Sequence, residues 1–393
     1  MKKYISILLV LCMSFCFGCT PVQESSEHGQ DEKVIICPNL PEPLIYDREN
    51  IDSIEEVRDE ISGRYEFRGY DLSKLAVSYN NILFSVFDTN TKWPEDFQTN
   101  VDIDKIIEYG KNPGLDIKKL HEKGLTGKDI NVAVIDTRLL LDHCEYEDRL
   151  VYYEEMYKMS GPAHYHGTPI TSILAGKNVG ILPEANIYYF AYTDGIIDYE
   201  EAYLHLSNAI RKIIEINTNL PDEQKIKVVS ISSGWDNETE NGKKVTEAIE
   251  LAKKEGLFVI SAKLLDTHNY YYDGALREPL SNPDSFDSYK LKDYIFPFYQ
   301  DKKGILLIPM DARYVASATG NEDYVMYTRG AWSMVVPYIS GLYALACQVN
   351  ENITPDEFWT QAILTGDLMD GGKANNQVLV NPTKLFEAIK KLN

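Results

Sequence analysis

From Gly124 onward the chain alternates short, nearly continuous apolar runs with longer stretches of helical periodicity. The run Ile130-Asn131-Val132-Ala133-Val134-Ile135 has the pattern of a parallel strand buried on both faces. Asn186 to Tyr192, Lys227 to Ser232, Leu257 to Ala262 and Ile305 to Pro309 predict further strands. Ala202 to Asn217, Lys244 to Glu255 and Pro337 to Gln348 read as helices, and Leu264 to Lys303, rich in Tyr and Asp, as an elaborate loop. Strands alternating with helices predict an α/β fold, a doubly wound, mostly parallel sheet flanked by helices and joined by right-handed crossovers. No internal repeat is visible.

Residues 34–112 break this rhythm with polar segments, one strand-like run at Ile82 to Phe87 and a turn-like stretch from Asn90 to Pro94. They are expected to form a small N-terminal region, a prosegment or an add-on. Pro113-Gly114 then interrupts the chain before a helical segment, Ile117 to Lys123, so the main domain is expected over 113–393.

The first residues are a targeting segment. Lys2 and Lys3 precede an apolar stretch, Ile5 to Phe17, too short to span a bilayer and ending in Gly18-Cys19. A small residue before Cys resembles the cleavage box of bacterial lipoproteins, although Cys16 stands where Leu is usual. The resemblance implies a signal peptide over 1–18, a lipid on Cys19 and a polar tether over 19–33. It also implies an extracytoplasmic place in a bacterial cell envelope, anchored to a membrane.

Charge and cysteine content narrow the picture further. A formal net charge of −21 repels phosphate and argues against a nucleic-acid partner. Once Cys12, Cys16 and Cys19 are assigned to the leader and its lipid, Cys37, Cys144 and Cys347 remain, enough for one disulfide at most. No CxxC pair suggests zinc, so no cofactor is expected, and calcium stays open without a named site because no compact acidic loop singles one out.

Three segments carry candidate chemistry. Ala133-Val134-Ile135-Asp136-Thr137 ends a buried strand in a carboxylate, where open α/β sheets handle ligands. His166-Gly167-Thr168-Pro169 opens an apolar helix, with Pro in the first turn. Gly330-Ala331-Trp332-Ser333-Met334-Val335-Val336-Pro337 sets a serine beside the positive end of another helix, which favours a developing oxyanion. Each alone is commonplace. Their order, Asp then His then Ser, resembles the subtilisin-like (S8) serine peptidases, with Asp136, His166 and Ser333 in the places of that family's catalytic residues. Val179 to Tyr188 is similar to the family's Gly-Val-Ala-Pro turn and next strand, and Val228 to Gly234 to the strand lining its substrate cleft.

The resemblance covers roughly residues 115 to 390 and implies a serine endopeptidase acting on peptides or proteins. Ser232, Ser233 and Gly234 would form the edge against which an extended substrate pairs. Several residues depart from the family. Arg138 replaces a Gly, Pro169 a second His, Trp332 a small residue and Tyr338 a His. Ser261-Ala262-Lys263-Leu264-Leu265 lacks the Asn that donates to the oxyanion, and Asn269 is the substitute the sequence offers. Two further readings stay open: a catalytically inactive surface lipoprotein that binds peptides or proteins, and an esterase or amidase with the same triad. The oligomeric state is not legible.

Overall fold

The computed structural model describes residues 33–292, 304–369 and 377–392. The leader, Cys19 and the tether up to residue 32 lie outside the described residues.

The central sheet is wholly parallel and runs β1 (Val34–Ile36), β5 (Leu150–Glu155), β6 (Asn186–Thr193), β4 (Asn131–Thr137), β7 (Ile226–Ile231), β8 (Phe258–Ser261). The chain leaves β4 toward β5, returns through β6, then crosses to β7 on β4's other side. The carboxyl end of β4 therefore lies where the winding reverses, the place at which such sheets bind ligands.

Alternation along β4 divides the core between the two faces of the sheet. Val132 and Val134 pack with Leu174 of α5 (Gly167–Ala175) and Val335, Ile339 and Leu342 of α9 (Trp332–Val349). Ala133 and Ile135 pack with Leu206 and Ile210 of α6 (Tyr199–Asn219) and Val245 and Ile249 of α7 (Glu240–Lys254). Helix α9 is long and apolar enough to cross a membrane, but 78% of that window is buried, as befits a helix at the centre of a core.

The doubly wound sheet read from the sequence is thus the fold's frame. The expected loop over 264–303 is different: its described part forms α8 (Leu264–His268), β9 (Tyr272–Arg277) and β10 (Tyr289–Lys290). Strand β9 carries Asp273, Gly274 and Arg277 and so shows no apolar run. It exists because β11 (Ile305–Pro309) pairs with it in parallel, in a sheet ordered β10-β9-β11-β15-β14 with β14 (Asp367–Leu368) and β15 (Gln377–Leu379). Tertiary pairing overrides local propensity there.

Residues 34–112 share their sheets with the rest of the chain. Strand β1 adds to the central sheet, pairing Val34 with Tyr152. The strand-like run at Ile82 to Phe87 is split: Ile82 ends α1 (Tyr79–Ile82), and β3 occupies Ser85–Asp88. With β2 (Tyr65–Glu66), β3 completes a sheet begun by β12 (Arg313–Ala316) and β13 (Tyr324–Tyr327). Beneath it Phe67, Ile82, Phe87 and Phe97, the last from α2 (Glu95–Asn100), share one core with Tyr314 and Met326. Helices α3 (Ile103–Lys111) and α4 (Ile117–Glu122) lead into β4, and α10 (Pro355–Thr365) and α11 (Pro382–Ile389) follow α9.

Candidate active site

Strand β4 delivers Asp136 to the reversal point, fully enclosed but for a side-chain exposure of 4%. Its Oδ1 accepts the Thr137 backbone N–H at 2.7 Å and the Thr137 hydroxyl at 3.1 Å. Thr137 Oγ1 in turn accepts the Gly167 N–H at 2.9 Å, joining the end of β4 to the start of α5. A Cβ at position 167 would run into the Tyr189 hydroxyl and the Thr137 carbonyl, so only glycine lets the helix start this close. His166, just before α5, is thereby aimed back at β4. Its Nδ1 lies 2.7 Å from Asp136 Oδ1.

This contact sets the electrostatics of both groups. Burial alone would raise the Asp136 carboxyl, but the charge of His166 and the bonds from His166 and Thr137 outweigh it and hold it below the ordinary 3.8. Burial alone would lower His166, and the Asp136 charge and hydrogen bond overcome this and raise it above 6.5. His164 accepts the His166 N–H at 3.3 Å, and burial together with the nearby His166 depresses its own basicity.

Ser333 is the second residue of α9, in the first turn, where backbone N–H groups have no intrahelical acceptor. Its carbonyl would normally accept from residue 337, but Pro337 has no N–H to give. The Ser232 hydroxyl donates to that carbonyl instead, at 2.8 Å. Ser232 lies just past β7, so this bond ties the serine's backbone to the proposed substrate edge. Along that edge, Ser233 Oγ accepts the Tyr192 hydroxyl at 3.1 Å and Gly234 is exposed.

His166 and Ser333 line one cleft of about 150 Å³, with Pro169 and Ile170 from α5 and Met334 from α9. The structure therefore gathers Asp136, His166 and Ser333 at one place and sets Ser232 beside them. Asn269 stands apart: it ends α8 at φ +57°, and its Oδ1 accepts the Tyr271 hydroxyl at 3.0 Å. It makes no bond to Ser333 or His166 among the described contacts. Just past β8 stands Lys263, whose ammonium is held by Asp266 at 2.8 Å and the Trp235 carbonyl at 3.0 Å.

The residues that depart from the family pattern have structural partners. The Arg138 guanidinium turns inward to Glu155 at 2.6 Å and to the Asn39 carbonyl at 2.6 Å, with Gly161 O as a third partner. Trp332 lies outside the cleft lining: its ring packs against Tyr272, and its Nε1 donates to Asp273 at 2.7 Å. Tyr338 is buried, and its hydroxyl donates to the Gly114 carbonyl at 3.3 Å. Sequence reasoning missed Arg64, Arg68 and Arg329, which also line the cleft. Nothing in their local sequence signals it. Among the described residues no group of three or more His, Cys, Asp or Glu side chains is arranged to hold a metal ion.

Residues 127–288 match the model of the Subtilase family, Peptidase S8. The major intracellular serine protease of Bacillus subtilis (strain 168) is 25% identical over 265 residues, covering 62% of this chain and 77% of that protein. Among solved structures, the PatG macrocyclase domain aligns with a TM-score of 0.51 at 14% identity, over 70% of this chain and 95% of its own. The prenylagaramide maturation protease PagA aligns with a TM-score of 0.49 at 19% identity, over 70% of this chain and 98% of its own.

Proposed function

We propose that this divergent member of the subtilase family, a serine-type endopeptidase, forms its acyl-enzyme on Ser333, with His166 as base and Asp136 as its partner. The observation that carries the reading is the Asp136–His166 contact of 2.7 Å opening on the cleft that Ser333 shares. A serine hydroxyl is a poor nucleophile at neutral pH and needs such a base. His166 takes the proton as Ser333 attacks the carbonyl carbon, then returns it to the leaving amine. Asp136 fixes the tautomer and stabilises the imidazolium between those steps. Water repeats the sequence on the ester and frees the second product.

The developing oxyanion falls to the backbone N–H groups in the first turn of α9 and to that helix's dipole. Asn269 has no part in this reading. The extended substrate pairs along Ser232, Ser233 and Gly234 on the acyl side.

The reading extends to location and to the N-terminal region. Lipid on Cys19 and a polar tether hold the protein outside the cytoplasm; the sequence supports this through its basic, apolar and Gly18-Cys19 segments. Residues 34–112 remain in the working enzyme, supported by the strands they place in shared sheets. Metabolic labelling with a fatty acid should mark the wild-type protein and not Cys19→Ser; no label on the wild type, or equal label on both, refutes the lipid.

The direct test is labelling of the full-length protein in detergent with a fluorophosphonate probe. Labelling lost in both Ser333→Ala and His166→Ala establishes an activated serine. No labelling of a folded wild-type protein rejects the hydrolase and favours a binding lipoprotein.

A further inference from the structure

We infer that the cleft beside Ser333 selects substrates carrying a carboxylate just after the cleaved bond, and that Arg64 reads it. The inference rests on the assignment of His166 and Ser333 above.

The side of the cleft follows from the chemistry. His166 hands its proton to the leaving amine, so the leaving segment departs past His166. The cleft is walled by His166, α5 and the segment from Arg329 to Ala331, and the Ser232–Gly234 edge is not part of its lining. It is therefore the leaving-group side.

Its charge is opposite to that of the protein. The chain carries −21, yet this lining contains Arg64, Arg68 and Arg329 and no Asp or Glu. Two of these cations are balanced from behind. Arg329 pairs with Asp311 at 2.8 Å, whose side chain is fully buried. Arg68 grips Glu66 with two bonds of 2.5 and 2.6 Å, and Glu66 also faces Arg48 at 3.8 Å. Arg64 makes no ion pair with a carboxylate among the described residues. It stands half-buried on the chain between β2 and the turn at Gly63. A cation held in no ion pair, with the exposed Asp59 acting on it only at longer range, attracts a substrate anion more strongly at a walled cleft flanked by two more cations than it would on an open surface. The planar guanidinium suits a carboxylate in particular.

Two sources could present that carboxylate: an Asp or Glu side chain, or the free end of a peptide. Matched peptides separate them, with Glu or Gln after the cleaved bond and with the C-terminus free or amidated. The full-length protein should cut the Glu peptide roughly tenfold faster in kcat/KM than the Gln peptide, the scale of one partly desolvated ion pair. Faster cutting of the free than of the amidated peptide, with Glu and Gln handled alike, identifies the chain end as the anion. Arg64→Ala should bring the ratio to about one, Arg64→Lys should keep part of it, and Arg64→Glu should invert it. Binding of the same labelled peptides by fluorescence anisotropy measures the ratio without turnover, so a failed hydrolase reading does not hide the result. Equal handling of all peptides by wild-type protein, or a preference that survives Arg64→Ala, overturns the inference.

Discussion

Replacing Ser232 by Ala tests the link between the substrate edge and the serine helix. In the wild type the Ser232 hydroxyl occupies the Ser333 carbonyl at 2.8 Å, the one acceptor in that turn that Pro337 leaves without a helix donor. Deleting the hydroxyl strands a carbonyl in a partly buried site, which costs about 1–2 kcal/mol. For a chain of this size that lowers Tm by roughly 1–3 °C, read by differential scanning fluorimetry. The sharper measurement is a double-mutant cycle. Pro337→Ala restores an N–H at the position where the helix needs it, so Ser232→Ala in that background should cost about 0.5 kcal/mol or less. Fluorophosphonate labelling should slow in Ser232→Ala and recover in the double variant, because the carbonyl belongs to Ser333, the proposed nucleophile. Equal costs in the two backgrounds, or no cost in either, would refute the account of why proline follows the serine by four residues.

The Asp136–His166 pair makes activity and stability move oppositely with pH. The His166 value is raised above 6.5, so the acid limb of kcat/KM should have its midpoint above 6.5, and the pair's stabilisation should fade as pH rises through that same value. The Asp136 contribution persists above 3.8 and is lost as pH falls through its lowered value; a rate profile and melting curves over one pH series check both signs. Arg138→Ala should cost about 3–5 kcal/mol, because Glu155 is left buried without its cation; urea denaturation measures it, and a loss under about 1 kcal/mol would contradict the pairing. A fragment beginning at residue 113 loses β1, β2 and β3 and exposes the edge of β13, so it should show no cooperative melt; a cooperative one would mean that residues 34–112 are dispensable.

Much of the frame was legible because burial writes itself into local sequence. Strand β4 is apolar on both faces since a core lies on each side of it, and that continuous run identified both the strand and the position of Asp136 at its end. Gly167 and Pro337 were visible as residues too, but not their reasons. One lets α5 meet β4, and the other releases a carbonyl for Ser232. Those reasons involve partners tens to hundreds of residues away.

The remainder could not be read locally. Strand β9 has a polar sequence and forms because β11 lies beside it. Strand β3 pairs with β13, from Ser85–Asp88 to Tyr324–Tyr327, across most of the chain. Arg138, which stands two residues after Asp136 where the family pattern has Gly, turns away from it to Glu155 and Asn39. Periodicity and short motifs were enough to read the layered sheet and the order of Asp136, His166 and Ser333 along the chain. That an N-terminal region without reactive motifs brings Arg64 and Arg68 to the cleft is visible in the folded chain alone, because the charge at a site is set by the path of the whole chain.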